Sequence, residues 1–131
     1  MMLDTSVIMA SLLGERGGVE LDARLGGSLV SIVNLTEVIV VSRRRGLDAS
    51  AEEIEESLRL AGVETVAPTV ETARLSASFM AAIPPKGYSR ISIGDGYCLA
   101  HAFQRGVVAL TADRAWAEMK FAHPVKIELI R

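Results

Sequence analysis

Short apolar runs of strand character alternate along this chain with longer stretches of helical spacing, and that alternation narrows the possible folds most. The strand candidates are Met1–Leu3, Leu29–Val33, Val63–Ala67, Val107–Leu110 and Val125–Ile130. Between them lie helical stretches at Val7–Leu13, Val19–Leu25, Leu35–Arg45, Ala49–Leu60, Thr69–Ala82, Ile93–Gln104 and Ala112–Met119. Gly14, Gly26-Gly27, Gly46, Gly62 and Gly106 supply helix stops, and Pro84-Pro85-Lys86-Gly87 is the clearest loop. Strands separated by helices predict an α/β fold whose parallel sheet is covered on both faces.

Composition sets the remaining bounds. The 131 residues are 50% hydrophobic, enough for one domain spanning 1–131, and no repeat or linker divides them. A net charge of -2 gives no nucleic-acid signal from the whole protein, so any polyanion contact has to be local and metal-assisted. Mean hydropathy is +0.32, which predicts apolar surface covered by a partner or a second copy. The Val7–Leu13 stripe and the Val38–Val41 run are the expected interface. A single cysteine, Cys98, excludes an intrachain disulfide and a cysteine-rich zinc site, and suits a reducing cytoplasm. Asp4, Glu15 and Arg16 interrupt any secretory leader. The longest aliphatic run, Val38–Val41, falls far short of the roughly 20 residues that span a bilayer.

Four acids are the candidates for chemistry: Asp4, Glu37, Asp95 and Asp113. Each follows its own short apolar run. Helix capping accounts for each singly. Asp is a favoured N-cap, Asn34 with Glu37 and Ser92 with Asp95 have capping-box spacing, and Asp113 sits in a first helical turn. The same geometry gathers them, because helix starts that follow parallel strands share the carboxyl edge of the sheet, where ligands bind. Carboxylates collected there repel one another unless a hard divalent cation neutralises them.

Leu3-Asp4-Thr5-Ser6, Asn34-Leu35-Thr36-Glu37, Ile93-Gly94-Asp95 and Leu110-Thr111-Ala112-Asp113-Arg114-Ala115-Trp116 together resemble the PIN-domain ribonucleases, most of all the VapC-type toxins of toxin–antitoxin pairs. The resemblance covers essentially the whole chain. It implies a three-layer α/β/α sandwich with a mainly parallel sheet of four to five strands. Asp4, Glu37, Asp95 and Asp113 would hold Mg²⁺, with Mn²⁺ able to substitute, and Asp113 would act through water. Ser6 and Thr111 would support them. The activity implied is hydrolysis of RNA to 5′-phosphate and 3′-hydroxyl ends. A cognate antitoxin and a homodimer are the implied protein partners.

For gripping substrate, Arg114, Lys86 and Arg90 are the neighbours of the acids in sequence. Arg43-Arg44-Arg45 is the one dense basic run. Arg43 and its neighbours would lie about 9–12 Å along the helix axis from Glu37, in reach of flanking phosphates only. His101 lies about 240° around the helix from Asp95, and His123 falls in a loop, so a metal-free histidine pair is the weaker enzyme reading. A phosphoacceptor module or an Asp-x-Asp phosphatase would need paired acids at the first strand, where Asp4 is followed by Thr5 and Ser6. The alternative outside catalysis is a PIN-fold protein that mainly binds a partner within a DNA-binding complex.

Overall fold

A computed structural model describes residues 1–18 and 22–131. The helical stretch expected at Val19–Leu25 therefore lies in part outside the described residues. In chain order the elements are β1 Met2–Leu3, α1 Thr5–Leu13, β2 Leu29–Ser31, α2 Ile32–Arg44, α3 Ala51–Leu60, β3 Glu64–Val66, α4 Val70–Met80, α5 Ile93–Arg105, β4 Ala109–Thr111, α6 Ala115–Glu118 and β5 Ile127–Leu129. The expected strand–helix alternation holds.

The strands form one parallel sheet in the order β3-β2-β1-β4-β5. Met2 lies opposite Leu29 on one side and Ala109 on the other. From β1 the chain steps outward through β2 to β3, then crosses to β4 on the opposite flank of β1. The order thus reverses between β1 and β4, the point in an open parallel sheet where a crevice opens beyond the strand ends.

Alternate side chains of these short strands enter different layers, as the two-residue period of a strand requires. Leu3, Val30 and Leu110 join Val7, Ile8, Leu35, Val38 and Ile54 on one face. Met2, Val66 and Ala109 join Phe79, Leu99 and Trp116 on the other. Phe79 is fully buried and meets Phe121 edge-on at 5.6 Å. Phe79→Ala is expected to cost about 3–5 kcal/mol, the usual penalty for deleting a buried aromatic, read from the urea midpoint at unchanged m-value.

Two expectations need correction. Val7, Ile8, Met9 and Val38 are buried in the chain's own core and do not form an interface; of that helix run, Val40 is exposed. The second strand also stops at Ser31, before Val33. The Ser31 hydroxyl accepts from the Val33 amide at 3.2 Å and starts α2 there, although Ile32 and Val33 are β-branched. Asn34 and Glu37 consequently do not form a capping box, and Glu37 lies in the second turn of α2. The Ser92–Asp95 box is present at the start of α5.

Candidate active site

Asp4 leaves the buried end of β1 and is only 3% exposed. It is the N-cap of α1, with Oδ1 accepting from the Thr5 amide at 2.8 Å. Its Oδ2 accepts from the Ser6 hydroxyl at 2.6 Å and the Thr111 hydroxyl at 2.9 Å. Both hydroxyls are oriented from the far side. Ser6 Oγ accepts from the Ala112 amide and Thr111 Oγ1 from the Asp113 amide, each at 3.0 Å. With their lone pairs so used, their protons are free to point at Asp4. The segment after β4 thereby fixes a carboxylate on β1.

Glu37 reaches the same edge from α2. Its Oε1 accepts from the Thr5 hydroxyl at 2.9 Å and from Asn34 Nδ2 at 3.3 Å. The buried Asn34 amide also donates to the Gly94 carbonyl at 3.1 Å, tying α2 to the start of α5. Its Oδ1 is buried and has no hydrogen-bond partner among the described residues. Asp95 enters from α5, where Oδ2 accepts from the Ser92 amide at 2.8 Å. Asp113 is exposed, and its Oδ1 accepts from the Ala115 amide at 2.9 Å.

The first three acids feel one another. Burial pushes Asp4 above the usual carboxylate range, against the pull of its hydroxyl and amide donors. Burial raises Glu37, with a further contribution from the Asp4 charge. Asp95 is raised to about 7, first by burial and then by Asp4, with Glu37 adding to it. The wholly buried Cys98 thiol is pushed up by burial and by all three carboxylates. Among the described residues no Lys or Arg pairs with Asp4, Glu37 or Asp95.

This donor set suits a hard divalent cation, which takes oxygen ligands and relieves mutual repulsion. Among the described residues no group of three or more His, Cys, Asp or Glu is arranged to hold a metal as it stands. Oxygens of Asp4, Glu37 and Asp95 are turned onto the hydroxyl and amide donors just named.

A cleft of about 360 Å³ opens over this edge, and Asp4, Asp95 and Asp113 line it together with Glu15, Arg45 and Arg131. Arg43, Lys86, Arg90 and Arg114 are exposed and do not line it. His101 is buried in α5, and His123 packs on Phe79 and Phe103, so neither lines the cleft. Thr5, which no motif singled out, donates to Glu37, and Asn34 bridges α2 and α5 where a capping role was expected. No local spacing ties Glu15 or Arg131 to the acids, whereas Arg45, expected within the basic run to reach flanking phosphates, does line the cleft.

Gly94 packs directly under Glu37, and a Cβ there would fall inside the carboxylate group. Gly94→Ala is expected to displace Glu37 with little effect on the fold. The carboxylate is the movable partner, and Ala gains about 1 kcal/mol of helix propensity over Gly. The melting temperature should hold or rise while Mn²⁺ affinity by calorimetry falls roughly tenfold.

A family model for the PIN domain matches residues 1–122. The chain belongs to the PIN-domain family. No curated protein sequence matches it. Among solved structures, this PIN domain is similar to Mycobacterium tuberculosis VapC20, a sarcin–ricin loop cleaving toxin, at 20% identity and a TM-score of 0.66, covering 93% of this chain and 98% of that one. It is similar to a toxin–antitoxin complex from Klebsiella pneumoniae at 18% identity and a TM-score of 0.63, with 88% of each chain covered. FitAB bound to an IR36 DNA fragment matches at 20% identity and 0.61, covering 98% of this chain and 93% of that one. At these identities the likeness establishes a shared fold.

Proposed function

We propose that this PIN domain is a metal-dependent endoribonuclease acting as a toxin and restrained by a cognate antitoxin. The observation that carries the reading is the set Asp4, Glu37 and Asp95 at the β1/β4 crevice, brought together without a compensating cation. Such a set is costly to fold and useful for binding Mg²⁺ or Mn²⁺. A bound divalent ion would supply charge neutralisation at the phosphate and a more acidic water. The chain's own residues do the placing. Ser6 and Thr111 hold Asp4, Thr5 and Asn34 hold Glu37, and the Ser92 box holds Asp95. Asp113 stands at the cleft wall, where an outer, water-mediated role fits its exposure.

Ile32 and Val40 on α2 and Ile93 at the start of α5 are exposed on the helices that carry Glu37 and Asp95. A protein partner seated on them would cover the approach to the site, as an antitoxin does. The similarity to FitAB bound to DNA supports a second reading, in which the chain serves mainly as the partner-binding half of a DNA-binding complex. Incubating the purified chain with total RNA and Mn²⁺, with and without EDTA, separates the readings. Cleavage that stops on chelation is expected. Cleavage that survives EDTA would sink the metal reading, and no cleavage under any condition would favour the second. Among the described residues no helix is long and apolar enough to cross a membrane. Action in the cytoplasm, as a homodimer, completes the proposal.

A further inference from the structure

We infer that Arg45 and Arg131 form a clamp for a backbone phosphate of the RNA, and that Glu15 holds them ready as an internal stand-in for that phosphate. The inference rests on the ribonuclease reading and names how the same cleft grips its polyanion.

One arginine meets each oxygen of Glu15. Arg45 Nη2 lies 3.4 Å from Oε1, and Arg131 Nη1 lies 3.2 Å from Oε2. Arg131 also donates to the Arg16 carbonyl at 3.1 Å. All three side chains line the cleft that holds Asp4, Asp95 and Asp113. Two guanidinium groups converging on a small oxyanion make a receptor for carboxylate and phosphate alike.

The receptor is built by the fold. Gly14 ends α1 in the left-handed conformation, and the Glu15 amide donates to the Ala10 carbonyl at 2.8 Å. Gly17, at φ 87°, packs so closely on the Ile130 carbonyl that a Cβ would lie 2.6 Å from it. The turn bearing Glu15 is thus fixed against α1 and against the segment that carries Arg131. Arg45 caps α2, eight residues beyond Glu37 and so about 12 Å along the helix axis. The phosphate held there flanks the one at the acids.

Charge explains the need. Three facing carboxylates repel an RNA strand, and the chain as a whole is negative. Arg45 and Arg131 are the cations that line this cleft. Their pairs with Glu15 are partly solvated, with side-chain exposures of 56% and 33% for the arginines. Solvated pairs are weak and readily exchanged for a phosphate, which offers more acceptor oxygens and more charge.

The test is binding, kept apart from cleavage. The full chain carrying Asp4→Asn is titrated in EDTA with a fluorescein-labelled single-stranded RNA, by anisotropy at several salt concentrations. Arg45→Ala with Arg131→Ala is expected to weaken binding about tenfold and to lower the slope of log K against log salt by about 0.7, the value for one lost phosphate on a single strand. Glu15→Gln is expected to tighten binding several-fold. If the triad only ties the turn to the segment bearing Arg131, Glu15→Gln lowers the melting temperature and leaves RNA affinity unchanged, which overturns the clamp. Should the arginine pair variant not fold, the Glu15→Gln arm alone decides. Without Asp4→Asn and in Mn²⁺, cleavage alongside unaltered binding in the arginine variants overturns the clamp but keeps the ribonuclease reading. A chain that neither binds nor cleaves RNA overturns both.

Discussion

Asp4→Asn is expected to reduce RNA cleavage by more than about 100-fold while the fold stays intact. Losing an outer partner of a metal ligand already costs about 10–100-fold, and Asp4 is a proposed ligand at the centre of the site. Four features converge on it: the end of β1, the start of α1, and the hydroxyls of Thr111 and Ser6. An amide keeps one acceptor oxygen for those donors but removes the charge a divalent ion needs. The variant should also be more stable than the parent at neutral pH, because burial disfavours the Asp4 carboxylate. Single-turnover cleavage in Mn²⁺, growth arrest on induction, and a thermal melt check the three parts. Full toxicity in a folded Asp4→Asn chain would refute the site assignment.

Asp95→Asn is expected to show a stability gain that depends on pH. Asp95 ionises at about 7 in the folded chain against 3.8 unfolded. Between those values the folded state binds more protons, so stability falls as pH rises. The contribution of Asp95 is therefore best below about pH 4 and is progressively lost up to pH 7. Asn carries no charge to bury and still accepts from the Ser92 amide. At pH 8 the variant should be more stable by roughly 1–3 kcal/mol, a figure reduced from the full shift for residual solvation. The gain should shrink as pH falls and vanish near pH 4. Urea titrations of both chains from pH 4 to 8 measure it, and a gain independent of pH would refute the electrostatic origin. Mn²⁺ should stabilise the parent and not the variant, since only a ligand that binds the folded state shifts the equilibrium.

Much of this was legible in the residues because local chemistry and global placement agree at Asp4 and Asp95. Each caps a helix, and each cap lies at the site. The strands were legible as buried apolar runs. Their ends were less so, since Ile32 and Val33 favour a strand while Ser31 offers a cap, and the cap prevails. That shift moved Glu37 from a first turn to a second and gave Asn34 a tertiary role where a local one was expected. Glu15 and Arg131 left no trace in any spacing, and Arg45 showed only as one member of a basic run. Glu15 and Arg131 meet where the turn at Gly17 docks on Ile130.

The bond from Thr111 to Asp4 spans 107 residues and joins strands that are neighbours in the sheet but far apart in sequence. Synthesis runs at about 5–20 residues per second, and a contact of that separation cannot close until both partners have left the ribosome. The earliest acid made is therefore among the last to be oriented. A nascent fragment carrying Asp4, Glu37 and even Asp95 lacks the hydroxyl that fixes the first of them. For an enzyme whose proposed substrate surrounds it during translation, assembly order delays competence until Thr111 has been made.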